Sequence, residues 1–387
     1  MAKKIKVCVI PSTFLPIIGG AEIQCHNFSN LLCQKKIDVD LWSLTKINLK
    51  NNMYKIKFFN MFLINVTYYL EYYFSINISF FLKIYLHRII KKYNYDIFHF
   101  HSLNYKLLML IRELKKLNQK VIVTFQGADI QINKKINYGY RLKKNYDHLL
   151  RSTIKKIDLI HSISNNIDLD LKKLGVKKKN IIKIPNTVYL KKTNNNKSHR
   201  KYKILKLITV ARFAEKKKGF DFIDKIGEQL KGRIDFKWYI IGKNSHKLTQ
   251  YKFVRENKDK FKIIPQISNF NEKYFPHSSL IKLYQQSDIY VHLSRIESFG
   301  ISLIEAMSVH LPILAIKAKG SNELLKDKIN GYFFSVKKNN FYTKILNIKN
   351  KKLNQRKLIN FNKEYTKKFD LELATTKLIR EYKKLIF

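Results

Sequence analysis

The sequence predicts two α/β domains in tandem, each built on a parallel sheet with helices on both faces. Three observations carry that prediction: short apolar runs recur with helical or loop material between them, a polar stretch interrupts the chain at 191–203, and the same rhythm restarts beyond it. The first run, at 5–10 within "KIKVCVIPSTF", is short and continuous, as a buried strand is. Gly19-Gly20, an apolar spacing of helical period to about residue 33 and a second run at 37–44 complete a βαβ opening. "DIFHFHS", "KVIVTFQ", "DLIHSIS" and "NIIKIPN" extend the pattern of a parallel sheet covered on both faces, so 1–190 read as one domain. "KKTNNNKSHRKYK", at 191–203, has no aliphatic residue and reads as a linker. The second domain, 204–365, runs through "ILKLITVARF", "IDFKWYIIG", "KFKIIPQIS", "SDIYVHLS", "LPILAI" and "NGYFF", with "GFDFIDKIGEQLKG" and "GISLIEAMS" as intervening helices. Residues 366–387 are expected to form an amphipathic helix, with Leu371, Leu373, Leu378, Ile379 and Tyr382 near one face, that packs back on the first domain. Two such domains joined by one hinge are expected to leave a ligand cleft between them.

Composition bounds the function classes. With 45% hydrophobic and 27% charged residues over 387 positions, the chain has ample apolar material to fold, which excludes disorder. Cys8, Cys25 and Cys33 are odd in number and lack metal-ligand spacing, so free thiols in a reducing cytoplasm are expected. The first apolar run is too short for a signal-peptide core. Phe58–Leu82 carries one charge, Glu71, and is long enough for a membrane span. Its asparagines and dense aromatics also suit a domain-surface segment or an interfacial membrane segment.

The 76 Lys and Arg against 28 Asp and Glu give a formal charge of +48. A lysine-rich composition bias accounts for part of this, but Asp and Glu do not rise in parallel, so affinity for polyanions is expected. No zinc-finger, RNP-type or helix-turn-helix pattern accompanies the charge. Anionic lipid at the inner face of the cell membrane is therefore favoured over specific nucleic acid.

The stretch "SRIESFGISLIEAM" holds Glu297 and Glu305, eight positions apart. Were the whole segment helical, they would lie about 12 Å apart along the axis. A retaining glycosidase pair needs about 5 Å, so these carboxylates suit two contacts along one extended ligand instead. A helix start at Ser298, Phe299, Gly300 and Ile301 would aim backbone N–H groups at an anion such as a diphosphate.

Taken with "GSNELL", "NGYFF", Gly19-Gly20-Ala21-Glu22, "VTFQGAD", "IPN" and "ARFAEKKKGFDFI", that stretch resembles the family-four retaining glycosyltransferases, which have the GT-B fold. The resemblance spans nearly the whole chain. It implies two Rossmann-like domains facing across a cleft, a nucleotide-sugar bound mainly by the C-terminal one and a glycan or lipid-linked acceptor mainly by the N-terminal one. By the same resemblance Glu297 contacts the donor sugar, Glu305 the ribose hydroxyls, and Arg212 and Lys218 the diphosphate. Lys218 is preferred over Lys216 and Lys217 because it directly precedes Gly219. Fixed cations beside helix-terminal amides stabilise a leaving phosphate without a metal. "DVD" at 38–40 and "DLD" at 168–170 do not resemble metal-binding loops, and neither metal nor cofactor is expected. Gly19 and Gly20 would let their loop approach the ligand closely.

The chain departs from the family where Gln126 stands in place of a frequent histidine. A glutamine exchanges hydrogen bonds but takes no proton. Nearby, Asp129 is expected to bind substrate or to cap a turn, and His99 and His101 either contact sugar or are structural. Two other readings stay open: another GT-B enzyme such as a nucleotide-sugar epimerase, and a nucleic-acid-binding protein with a vestigial nucleotide fold.

Overall fold

A computed structural model describes residues 4–45, 47, 49, 52–189, 204–265, 267 and 272–387, so the linker expected at 191–203 lies outside the described residues. The first unit comprises residues 1–186 and 371–387, the second 187–370.

The strands of the first unit are β1 (Lys6–Pro11), β2 (Asp38–Ser43), β3 (Lys55–Phe58), β4 (Ile97–His101), β5 (Val121–Phe125), β6 (Leu159–Ser162) and β7 (Ile181–Lys183). They pair in the order β3-β2-β1-β4-β5-β6-β7, every pair parallel. Every residue of β4 and β5 is buried, which is why these strands read as short, mainly apolar runs. β3, at the sheet edge, spells Lys-Ile-Lys-Phe with no buried position and gives no such signal.

The second unit holds β8 (Leu205–Val210), β9 (Phe236–Ile241), β10 (Phe261–Ile264), β11 (Ile289–His292), β12 (Ile313–Ile316) and β13 (Gly331–Phe334), all parallel in the order β10-β9-β8-β11-β12-β13. Its core gathers Phe220, Ile226, Trp238, Val291, Leu314 and Phe341. In each sheet the strand order reverses once, between β1 and β4 and between β8 and β11. Such switch points, at the carboxyl ends of the strands, are where doubly wound sheets bind ligands.

The division of the chain differs by a few residues from the sequence reading. Val188 N–H donates to Phe369 O at 3.0 Å, which joins 187–189 to the second unit. The helix Gln355–Thr366 also stays there, held by Tyr365 Oη donating to Glu323 O at 2.8 Å and Asn330 Nδ2 to Asn362 Oδ1 at 3.3 Å. Only the helix Leu371–Ile386 joins the first unit, burying Leu371, Ala374, Leu378 and Tyr382. Phe58–Leu82 forms the end of β3, the helix Met61–Phe74, a turn and the start of the helix Ser79–Tyr93. Among the described residues no helix is long and apolar enough to cross a membrane.

Candidate functional site

At the switch point of the second sheet the chain leaves β8 toward Arg212 and Lys218, and leaves the neighbouring β11 toward Glu297 and Glu305. Lys218 ends the short helix Glu215–Lys218. Gly219 follows with φ +70°, and a Cβ there would collide with the Leu293 carbonyl oxygen just past β11. The absence of a side chain thus lets the segment after β8 lie against the one after β11. Two contacts lock them together. Arg295 N–H donates to Lys217 O at 3.0 Å, and the Arg295 guanidinium binds both carboxylate oxygens of Asp221 at 2.5 Å while covering the Phe222 ring at 3.7 Å. So held, Lys218 Nζ meets Glu297 Oε2 at 2.7 Å.

Glu297 is also gripped from behind: a Cβ on Gly320 would stand 2.5 Å from the Glu297 carbonyl oxygen. Burial opposes its charge, but Lys218 above all, with His292 and Lys217, holds the carboxyl down at about 2. His292 Nε2 lies 3.7 Å from Glu297 Oε2. Burial, which Glu297 only partly offsets, lowers its pKa to about 4, so the ring is neutral at pH 7 and forms no salt bridge. Glu305 behaves in the opposite way. It is 4% exposed with no cation against it among the described residues, and burial raises its carboxyl to about 7 even though Tyr284 Oη donates to Oε2 at 2.9 Å. Between the two glutamates, Tyr290 Oη donates to Ser302 Oγ at 2.7 Å.

The helix Ile301–Ser308 starts after Gly300 with no side-chain cap, as the sequence suggested. Among the described residues the N–H groups of Phe299, Gly300 and Ile301 have no acceptor. Arg212 is exposed, and its guanidinium has no partner among the described residues. Ser298 and Phe299 are buried, the latter edge-on to Phe369 at 5.5 Å. This end of the sheet thus presents two cations, three free donors and a carboxyl with one unpartnered oxygen, a set suited to an anionic group flanked by hydroxyls.

The first unit uses its polar residues differently. Asp129 is fully buried, and its carboxylate accepts from the N–H groups of Leu103 at 3.2 Å, Gln126 at 3.1 Å and Gly127 at 2.8 Å. Of its two expected roles these bonds display the capping one. Gln126, just past β5, accepts from Asn186 Nδ2 at 3.1 Å through Oε1, while Gln126 Nε2 and Asn186 Oδ1 have no partner among the described residues. Gly19 is extended, at φ −157°, a conformation open to any residue, and Gly20 begins the helix Gly20–Gln34, so the backbone itself does not demand glycine at 19.

His99 belongs to a buried line of hydrogen bonds whose polarity follows from one end. The Ile184 carbonyl can only accept, so His161 Nε2 donates to it at 2.7 Å. Burial lowers the His161 pKa to about 4 and holds that of His99 well below the ordinary histidine value, so both rings are neutral at pH 7. Thr124 Oγ1 then donates to His161 Nδ1 and accepts from His99 Nε2, both at 2.8 Å. Tyr382 Oη, from the C-terminal helix, donates to His99 Nδ1 at 2.6 Å. Both nitrogens of His99 are used. His101, its ring 4.4 Å from that of His99, keeps an unpartnered Nδ1 in a buried setting.

Sequence reasoning missed Asn186 as the partner of Gln126, Tyr284 as the partner of Glu305, and Arg295 as the clamp on the lysine loop. These contacts join positions 60, 21 and 74 apart in the chain, and no local pattern encodes them.

The family model described as glycosyl transferases group 1 matches residues 191–365, and the one described as glycosyltransferase family 4 matches 18–192. An uncharacterized glycosyltransferase of Methanocaldococcus jannaschii is 25% identical over 382 residues, covering 97% of this chain and 98% of its own. Among solved structures, Anabaena HepE in complex with UDP superposes with a TM-score of 0.73 at 12% identity, over 98% of this chain and all of HepE. A Rickettsia africae glycosyltransferase gives 0.70 at 16% over 99% of both chains. The sucrose-phosphate synthase of Thermosynechococcus elongatus gives 0.71 at 13%, again over 99% of both.

Proposed function

Since the chain belongs to the GT-B glycosyltransferases of group 1 and family 4, we propose that it moves a hexosyl or related sugar from a nucleotide-sugar to an acceptor with retention of anomeric configuration. The observation that carries the reading is the cluster at the second switch point, where Lys218, Glu297, Glu305 and the free amides of 299–301 gather after β8 and β11. The HepE structures with UDP and UDP-glucose, alike in fold, support a nucleotide-sugar as the donor.

In this reading the diphosphate lies against the amides of Phe299, Gly300 and Ile301, with Arg212 beside it. Lys218 is shared: one of its three ammonium protons goes to Glu297 and the others serve phosphate oxygens. Glu297, kept ionised, accepts from hydroxyls of the donor sugar, and Glu305 from the ribose through its open oxygen. As the bond from anomeric carbon to phosphate oxygen breaks, the electron pair leaves with the nucleoside diphosphate, whose growing charge meets cations already in place. The acceptor hydroxyl attacks from the same face, and its proton passes to the departing phosphate. No side chain serves as the base, and no metal takes part.

Gln126 and Asn186 offer one donor and one acceptor for neutral hydroxyls of a ligand. The acceptor is a glycan or lipid-linked intermediate of surface polysaccharide synthesis, bound by the N-terminal domain at the cytoplasmic face of the membrane. The test is incubation with UDP-, GDP- and ADP-sugars and a lipid-linked saccharide, reading the product linkage by NMR. An anomer of inverted configuration defeats retention, and isomerisation of the donor without acceptor defeats transfer in favour of an epimerase.

A further inference from the structure

The helices Met61–Phe74 and Ser79–Tyr93 form a hairpin with two unlike faces. Inward, Ile64, Thr67, Leu82, Leu86 and Ile89 are buried. Glu71 takes two hydrogen bonds from the Arg112 guanidinium, at 2.6 and 2.7 Å, and Lys106 Nζ donates to Asn65 Oδ1 at 2.6 Å. The hairpin is therefore fixed to the helix Tyr105–Lys116 by charge-assisted bonds as well as by apolar packing.

Outward, the connecting end is apolar and open to solvent. Tyr73 is 62% exposed, Phe74 57%, Ile76 51%, Phe80 67% and Phe81 57%. Large exposed apolar side chains gathered at one place mark an interaction surface.

Charge identifies the partner. Between Lys55 and Tyr93 the chain has six Lys or Arg residues, at 55, 57, 83, 88, 91 and 92, and one acid, Glu71, which Arg112 already neutralises. Along the second helix Phe80, Phe81 and Ile84 come first, then Arg88 and Lys91. At 1.5 Å per residue, Arg88 stands about 10 Å from Phe81. An apolar tip with a cationic collar at that distance matches a bilayer surface, into which interfacial helices bury an apolar face by about 5–10 Å while their cations stay with the anionic headgroups. A second copy would bring the same positive collar against itself.

We propose that this hairpin docks the protein on anionic membranes, its aromatic tip seated at the headgroup and acyl boundary and its basic collar on lipid phosphates. This deepens the acceptor reading above, and only the lipid nature of the acceptor rests on that reading. Vesicle binding is measured without donor or acceptor, so its failure and the failure of sugar transfer are separate results.

The full chain is to be sedimented with vesicles of phosphatidylcholine alone and with phosphatidylglycerol added, at low and high salt. The expected result is binding to the anionic vesicles that weakens with salt, and reductions of about tenfold or more for Phe80→Ser with Phe81→Ser and for Lys91→Glu with Lys92→Glu. Lys225→Glu with Lys231→Glu, which alters exposed lysines of the other unit by the same charge, is expected to change binding less than about threefold. Parent protein that ignores anionic vesicles, or a control pair that weakens binding as much as the collar pair, overturns the proposal. So does dimerisation of the parent that the aromatic double variant abolishes, which would make a second copy the occupant. Phe80→Trp keeps the side chain aromatic and serves if the serine variants misfold: its emission is expected to shift to the blue on anionic vesicles and to be quenched by brominated acyl chains. An unshifted emission contradicts docking.

Discussion

Both sheets carry polar side chains at or beside their switch points, in the first unit mostly inside β4, β5 and β6 and in the second past the carboxyl ends of β8 and β11, and use them in opposite ways. In the first unit Tyr382, His99, Thr124, His161 and the Ile184 carbonyl close a line of hydrogen bonds, and Asp129 is surrounded by backbone donors. In the second, Lys218 and Glu297 satisfy each other only in part, Glu305 keeps one oxygen open, and three amides have no acceptor among the described residues. Both regions are rich in titratable groups with displaced pKa values. What separates these two sets is residual hydrogen-bonding capacity.

The comparison breaks most visibly at Lys218. Lys218→Ala is expected to lower the transfer rate by about 10²- to 10³-fold, as for removal of a charge-stabilising group. A rate within threefold of the parent would place the diphosphate elsewhere.

Glu305 tests burial of a group kept for a ligand. Its carboxyl is raised from 4.5 to about 7, so the folded chain holds a proton there that the unfolded chain has released. Stability linked to this group is fully present below about 4.5 and lost as pH rises to about 7, a change on the order of 3 kcal/mol. Urea titrations of the parent and Glu305→Gln across this window are expected to show that fall in the parent and a flatter profile in the variant.

Tyr382→Phe removes one end of the closed line and leaves His99 Nδ1 buried without a donor. The expected cost is about 1–2 kcal/mol by denaturant unfolding, with the transfer rate per folded molecule unchanged. A loss of rate without a loss of stability would move His99 into the ligand site. Smallest of all, Lys216→Ala, at an exposed position in the same lysine run, is expected to shift stability by less than about 0.5 kcal/mol and leave transfer intact.

The sheets are legible in the sequence because parallel strands buried on both faces need mainly apolar runs, as Val121–Phe125 shows. β3 is not, since at an edge its lysines are free to face water. Glu297 and Glu305 are legible as non-partners from spacing alone, and Lys218 from its place before Gly219, whose close approach to Leu293 sets the lysine's position. Their opposite ionisation is not, because it depends on Lys218 and Tyr284, whose proximity only the fold creates. Asp129 shows the converse: its local spacing permits a cap and a ligand contact equally, and the backbone donors that surround it appear only in the fold.

Whether the end of the second sheet holds a nucleoside diphosphate is tested most directly by unfolding the parent and Glu305→Ala with UDP, GDP and ADP present. For the parent, one nucleotide at 100 times its dissociation constant is expected to add about 2.7 kcal/mol, and at that same concentration Glu305→Ala is expected to lose most of the gain. Stabilisation of neither protein by any of the three, or equal stabilisation of both, would contradict the account.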